Sequence, residues 1–407
     1  MTRRVPTTFA VCAVAFVVSL GAFSALNGTA QPIRTVPANA DALIRRGNDE
    51  LQRARETADP ALYARAEAAF KQALRRDPRS VDATIGMATL ALARHEFRDG
   101  LRYAQRARRL EPQLARPFAV LVDAQIELGR YAQAGRSLQQ MIDRLPNLAS
   151  YARVSYFREL HGDLVGATEA MRLAVSAGGG APENVASVQT LLGDLYAVRG
   201  RMRAARRAYA AALATVPGYV PALFGRAQLD AASGRLQQAI RGHETIVRRR
   251  PLAQYVIALG ETQQAAGRHV DARETFALVD AERTLLAANG VNTDIEIALF
   301  EADHRNRARA VDLARRAWRA APNVRSADAV SWALTRAGHA SDGLAWARRA
   351  LKLGSRDPLI LTRAGLTAHA AGHDRTARRY LDRALQANPR FSAVWAPRAR
   401  KALQRLQ

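Results

Sequence analysis

A glycine, usually followed by a polar residue, returns along most of this chain at nearly fixed intervals: Gly129, Gly162, Gly200, Gly234, Gly267, Gly338 and Gly372. The intervals are 33, 38, 34, 33, 71 and 34 residues. The 71 is two units whose middle glycine is replaced near Arg305. The 38 is one unit plus an insertion, the "AGGGAPE" around Gly178 to Gly180. A chain with such a period consists of one supersecondary unit copied many times. One copy cannot bury its apolar face alone, so the copies must stack, and stability should spread chiefly to adjacent copies.

Other positions agree once the copies are aligned on that glycine. One copy reads Leu192-Gly193, Tyr196, Ala205, Tyr209, Ala212 and Pro217; the last reads Ala364-Gly365, Ala368, Ala377, Leu381, Ala384 and Pro389. Between them, Ala227, Ala239, Ile246 and Pro251 hold the same places, as do Gly260, Ala272 and Phe276. The first copy is looser, with Ala66, Phe70, Ala73 and Pro78. The pattern resembles the tetratricopeptide-repeat superfamily over residues 43–390. The resemblance implies an all-α, right-handed superhelical α-solenoid of about ten helix-turn-helix repeats, behind an N-terminal hydrophobic segment. The residue types fit that reading physically. Small residues such as Gly193 and Ala205 belong where two helices cross closely, with Tyr196 and Tyr209 filling the space beside them. The central glycine favours a left-handed helix end, and the proline after the second helix stops it.

The expected organisation is a signal peptide or membrane anchor at 1–30, a linker at 31–42, repeats 1–4 at 43–177 and a Gly-rich connecting loop at 178–185. Repeats 5–7 with an extended last helix follow at 186–290, repeats 8–10 at 291–390 and a C-terminal capping helix at 391–407. The N-terminal segment has Arg3 and Arg4 before an almost uncharged run from Phe9 to Leu26, with small residues Gly28, Thr29 and Ala30 before Gln31. Read as a signal or an anchor, it places the rest of the chain outside the cytoplasm, secreted or tethered to the cytoplasmic membrane. The single cysteine, Cys12, lies in this segment, so the chain has no internal disulfide and no thiolate zinc site.

No catalytic constellation emerges. There is no His-Glu-x-x-His, phosphate loop or nucleophile elbow, and the expectation is a non-enzyme without cofactor or metal. His369 and His373 have i, i+4 spacing, but the repeat turn at Gly372 falls between them. The net charge is +25, and only three of the 61 basic residues are Lys. The basic residues are not interleaved with stacking aromatics, so no nucleic-acid partner is expected.

In tetratricopeptide-repeat proteins the first helices line a concave groove and the second helices face outward. For this chain the resemblance places Asp123, Tyr156, Asp194, Phe224, Gln228, Gln254, Ile257, Glu261 and Trp332 on the groove. The partner-binding part is expected at Tyr156, Asp194, Phe224, Gln228, Gln254, Ile257 and Glu261, a mixed, partly acidic and aromatic wall that suits neutral or basic extended segments. The Lys-and-Asn pattern by which chaperone-binding members grip a peptide carboxylate is absent. The pairs Arg206-Arg207, Arg315-Arg316, Arg348-Arg349 and Arg378-Arg379 fall on second helices and form a basic outer face. The leading expectation is an extracytoplasmic scaffold that holds a protein or peptide partner in the groove. The alternative is a protein that binds an anionic polymer or lipid surface through the arginine face.

Overall fold

The computed structural model describes residues 38–179 and 181–406. The N-terminal apolar run and Cys12 lie outside the described residues. Among the described residues the chain forms 21 helices and no strand, and no helix is long and apolar enough to cross a membrane. Twenty of the helices pair into ten antiparallel hairpins, and one more closes the C-terminal end. Hairpin 1 is α1 (Ala38–Thr57) and α2 (Ala61–Arg76). Hairpins 2 and 3 are α3 (Val81–Ala93) with α4 (Phe97–Leu110), and α5 (Arg116–Glu127) with α6 (Tyr131–Arg144). Hairpins 4 and 5 are α7 (Leu148–Leu160) with α8 (Leu164–Ala177), and α9 (Pro182–Val198) with α10 (Met202–Thr215). Hairpins 6 and 7 are α11 (Val220–Ala232) with α12 (Leu236–Arg249), and α13 (Ala253–Ala265) with α14 (His269–Ala288). Hairpins 8 to 10 are α15 (Asp294–His304) with α16 (Arg307–Ala320), α17 (Val324–Arg336) with α18 (Ala340–Ala350), and α19 (Pro358–Ala370) with α20 (Asp374–Ala387). The last helix is α21 (Trp395–Arg405).

Local chemistry sets the helix starts. Asn147 and Asn323 each accept a bond from the N3 backbone N–H while Ser150 and Ser326 return one, closing capping boxes on α7 and α17. Ser80, Asp163, Asn306 and Asp357 cap α3, α8, α16 and α19 with side-chain oxygens. The two helices of a hairpin have different burial. First helices are buried almost all round; α13 buries every residue from Tyr255 to Gln263. Second helices bury one stripe; α12 buries Ala239, Ile240, His243 and Ile246, at i, i+1, i+4 and i+7. The first helices are thus the inner layer, covered by neighbouring hairpins on both sides.

At two junctions, between hairpins 1 and 2 and between hairpins 5 and 6, neighbours lock together through one large residue set between two glycines. A Cβ added to Gly193 of α9 would lie 2.4 Å from the Tyr209 ring, and one added to Gly225 of α11 would lie 2.4 Å from the same ring. Phe70 of α2 is held likewise, 2.5 Å from a Cβ at Gly47 and 2.3 Å from one at Gly86. The aromatic therefore fills the volume that two glycines leave open, one on its own hairpin and one on the next.

The solenoid also closes on itself, which corrects the expectation of coupling chiefly between neighbours. The turn of each early hairpin touches the loop that opens the hairpin six further on. Arg250, before hairpin 7, donates to the Glu56 carbonyl at the end of α1. The Asn292 amide, before hairpin 8, donates to the Arg94 carbonyl at 3.3 Å. Asn323, before hairpin 9, donates Nδ2–H to the Glu127 carbonyl at 2.8 Å, while the Val324 amide donates to Tyr131 Oη at 2.9 Å. Asn388, before α21, donates Nδ2–H to the Ala197 carbonyl at 2.7 Å. Hairpins 4 and 10 approach so closely that a Cβ on Gly162 would lie 2.3 Å from the Gly354 carbonyl oxygen.

Gly129 and Gly234 occupy the same turn position with φ of +67° and +80°, yet their surroundings differ. A Cβ on Gly129 would meet the Pro322 carbonyl oxygen at 2.2 Å, whereas one on Gly234 would meet nothing within 4 Å. Gly234→Ala is expected to cost about 1–2 kcal/mol from left-handed strain alone. Gly129→Ala is expected to cost a further ~1–3 kcal/mol by pushing two superhelical turns apart. Hydrogen exchange checks this: only Gly129→Ala should speed exchange of the Val324 to Ser326 amides, six hairpins away. Equal exchange in both variants would show that the turns are not coupled.

Candidate functional site

Closure turns the concave groove into an interior walled from both sides. All seven residues expected on the partner-binding wall line one cavity of about 250 Å³: Tyr156 from α7, Asp194 from α9, Phe224 and Gln228 from α11, and Gln254, Ile257 and Glu261 from α13. Tyr156, Ile257 and Glu261 are buried, and the other four are half-buried. Phe224 packs on the His243 and Tyr255 rings, with centroids 5.5 and 5.0 Å apart.

Two further residues expected on the groove are core residues instead. Asp123 is clamped by Arg153, whose Nε and Nη2 donate to its two carboxylate oxygens at 2.9 and 2.7 Å, and both side chains are buried. Trp332 donates Nε1–H to Asp303 at 3.1 Å and meets Trp395 edge-on at 5.3 Å between centroids. Each lies at a groove-facing register position, but a partner on the adjoining first helix or on α21 covers it.

The opposite wall comes from later hairpins. Leu299, Phe300, Asp303 and His304 of α15, Arg325 and Asp328 of α17, and Arg363 of α19 face the same cavity, as does the Phe391 to Trp395 segment. A second cavity of about 170 Å³ lies among hairpins 1, 2 and 5–8 and includes Tyr63, Tyr219, Tyr255 and Glu282. Gln254 and Glu296 line both cavities.

The larger cavity is acidic. Seven carboxylates line it, against two guanidiniums, Arg325 and Arg363. Arg363 is bound to Asp328; Arg325 lies 3.9 Å from Glu296 and bonds to Tyr156. Burial pushes the Glu159 carboxyl up to about 8, with Asp357 and Asp194 adding to the rise. Burial raises Asp194 to about 6, against a hydrogen bond from Tyr209 that lowers it. Burial likewise lifts Glu127 and Glu282 to about 7. His304 is depressed to about 3 by burial and by Arg398, so it is neutral and its 3.1 Å contact with Glu261 is a hydrogen bond. Among the described residues no group of three or more His, Cys, Asp and Glu side chains could hold a metal ion. His369 instead bonds to Asp374 through Nδ1 at 2.8 Å.

All eight arginines of the expected outer face are exposed on second helices. Several are engaged within the protein: Arg206 with Asp230 at 3.0 Å, Arg316 with Asp294 at 3.2 Å, and Arg378 with the Leu406 carbonyl. Arg349 lies over the Trp346 ring at 4.5 Å and Arg379 over the Tyr380 ring at 5.4 Å. Arg207, Arg315 and Arg348 make no polar contact among the described residues.

The hairpin length, the turn glycines and the stacked first helices define an all-α solenoid of helix-turn-helix repeats. No protein-family model matches the chain, and no curated protein matches it. Solved structures similar to it include the Cut9–Hcn1 hetero-tetramer of the APC/C, at 16% identity over 93% of this chain and 78% of that one, with a TM-score of 0.41. Another is a tetratricopeptide repeat protein from Parabacteroides merdae, at 16% identity over 64% of this chain and 98% of that one, TM-score 0.36. A third is IFIT1 in complex with m7Gppp-AAAA, at 18% identity over 87% of this chain and 72% of that one, TM-score 0.42.

The buried carboxylates give stability a definite pH dependence. A carboxyl whose folded pKa is raised binds its proton more tightly in the folded chain, so its contribution is lost as pH rises through the folded value. The depressed histidines oppose this only below their unfolded value of about 6.5. The melting temperature is therefore expected to fall between pH 7 and 9, and Glu159→Gln should flatten the fall. Calorimetry across that range checks it; a melting temperature that rises would overturn the protonation assigned to Glu159, Glu127 and Glu282.

Proposed function

We propose that this chain is a non-enzymatic scaffold outside the cytoplasm that holds a polypeptide partner in the interior of its superhelix. The observation that supports this most is the convergence of Tyr156, Asp194, Phe224, Gln228, Gln254, Ile257 and Glu261 on one cavity. Phe224 supplies aromatic area of the kind enriched at binding hot spots. Gln228 and Gln254 are half-buried carboxamides that can bond a peptide backbone on both its donor and acceptor sides. Phe224→Ala is expected to cost about 2 kcal/mol, near thirtyfold in affinity. The test is a pull-down from a membrane extract with the Phe224→Ala and Gln228→Ala variants against one with Arg315, Arg316, Arg348 and Arg349 changed to Gln. Loss of a specific polypeptide with the interior variants alone supports the scaffold. Loss with the arginine variant alone overturns it.

The location rests on the apolar run from Phe9 to Leu26 between Arg4 and Gln31. Mass spectrometry of the mature protein is expected to find either a start at Gln31, from cleavage after Ala30, or the intact anchor in a membrane fraction. An intact, soluble cytoplasmic chain would contradict export.

A second reading, contact with an anionic polymer or lipid surface, is favoured by the exposed and unengaged Arg207, Arg315 and Arg348. Such binding should weaken steeply with salt, since the Debye length falls to ~8 Å at physiological ionic strength.

A further inference from the structure

Glu159 stands near the end of α7 on the wall of the larger cavity, half-buried. Among the described residues its carboxylate makes no hydrogen bond and no ion pair. The two charged groups that act on it, Asp194 and Asp357, are both acidic. Neither is free to swing away. Tyr209 Oη donates to Asp194 Oδ1 at 2.6 Å, and the Leu359 and Ile360 amides donate to Asp357 Oδ1 at 2.8 and 2.9 Å. Asp357 comes from the next superhelical turn, beside the close approach of Gly162 and Gly354. On the same cavity, Glu261 is 1% exposed and its Oε2 has no hydrogen-bond partner.

The chemistry of this wall narrows the ligand. Both guanidiniums of the cavity lie against acids, Arg363 bonded to Asp328 and Arg325 3.9 Å from Glu296, with Arg363 Nη1 left as a buried donor without a hydrogen-bond partner. Without a counter-charge the Glu159 carboxyl keeps its proton at neutral pH, and an incoming cation would stabilise the carboxylate and displace that proton. An anion would meet the same sign of charge. The acids do not form a metal-binding group. An ammonium has three donors and a guanidinium five, so either can bond acids that approach from separate helices.

We propose that Glu159, Asp194 and Asp357, with Glu261 on the same cavity, bind an alkylammonium or guanidinium group. Its source is a Lys or Arg side chain of the polypeptide held in the interior, and in that respect the inference rests on the scaffold reading. Glu159 is the principal ligand because its carboxylate alone among the three converging acids has no other bond. The site belongs to the closed superhelix, since α7 and α9 supply two acids and the loop six hairpins on supplies the third.

Calorimetric titration of the full-length protein tests this with three probes: a blocked pentapeptide with a central Arg, the same peptide with Gln, and spermidine. The Arg peptide should bind at least tenfold more tightly than the Gln peptide. Glu159→Gln should abolish that preference, while Glu169→Gln, on the exposed face of α8, should keep it. On the unmodified protein spermidine should displace the Arg peptide, which tests the site without any variant. Equal binding of the two peptides overturns the cation site and leaves the scaffold reading intact. Glu159-dependent binding of spermidine, with neither peptide bound, upholds the cation site and removes the polypeptide as its source. No binding of any probe overturns the inference.

Discussion

The architecture depends on one packing arrangement: an aromatic side chain of a second helix held between two glycines of successive first helices. Tyr209 between Gly193 and Gly225, and Phe70 between Gly47 and Gly86, are the examples in which the space is filled on both sides. Protein interiors tolerate little change of volume, so a contact of this kind fixes both the distance and the angle between hairpins. Together with the other contacts between hairpins, that angle contributes to a curvature. The curvature brings the turn of one hairpin against the loop of the sixth after it, through Asn292, Asn323 and Asn388. The interior walled from both sides is thus in part a remote consequence of how closely two helices can approach.

Closure also sorts the charge. The chain has a formal net charge of +25, yet the charged residues on the largely apolar cavity wall are mostly acids. Arginines on second helices stay in water, where a guanidinium costs nothing to solvate. Acids on first helices are carried inward by the same hairpin geometry. Asp123 and Asp328 find buried arginine partners there, whereas Glu159 finds none.

The repeat, the hairpins and the inner wall from Tyr156 to Glu261 were legible because they rest on spacing within one or two units. Turn glycines, small residues at helix crossings and stop prolines are local signals. The opposite wall was not legible. Asp303, Arg325 and Asp357 meet the inner wall only because six hairpins complete one turn, and that number accumulates from small angles that no short motif encodes. Gly129 and Gly234 look alike in the sequence, but only Gly129 lies against another turn. Asp123 and Trp332 share a register with true cavity residues. They differ because Arg153 covers the one and Asp303 and Trp395 cover the other, and such partners come from separate hairpins and from α21.

The contacts between successive turns have a kinetic meaning. A polypeptide held there, as proposed, would be encircled, as a thread is by a coil whose windings touch. It would leave more easily when the windings part. Its residence time would then depend on how often the contacts between turns, such as those from Asn323 and Asn388, open in the protein itself. Weak contacts inside a closed coil can therefore retain a chain longer than their summed strength would on an open surface.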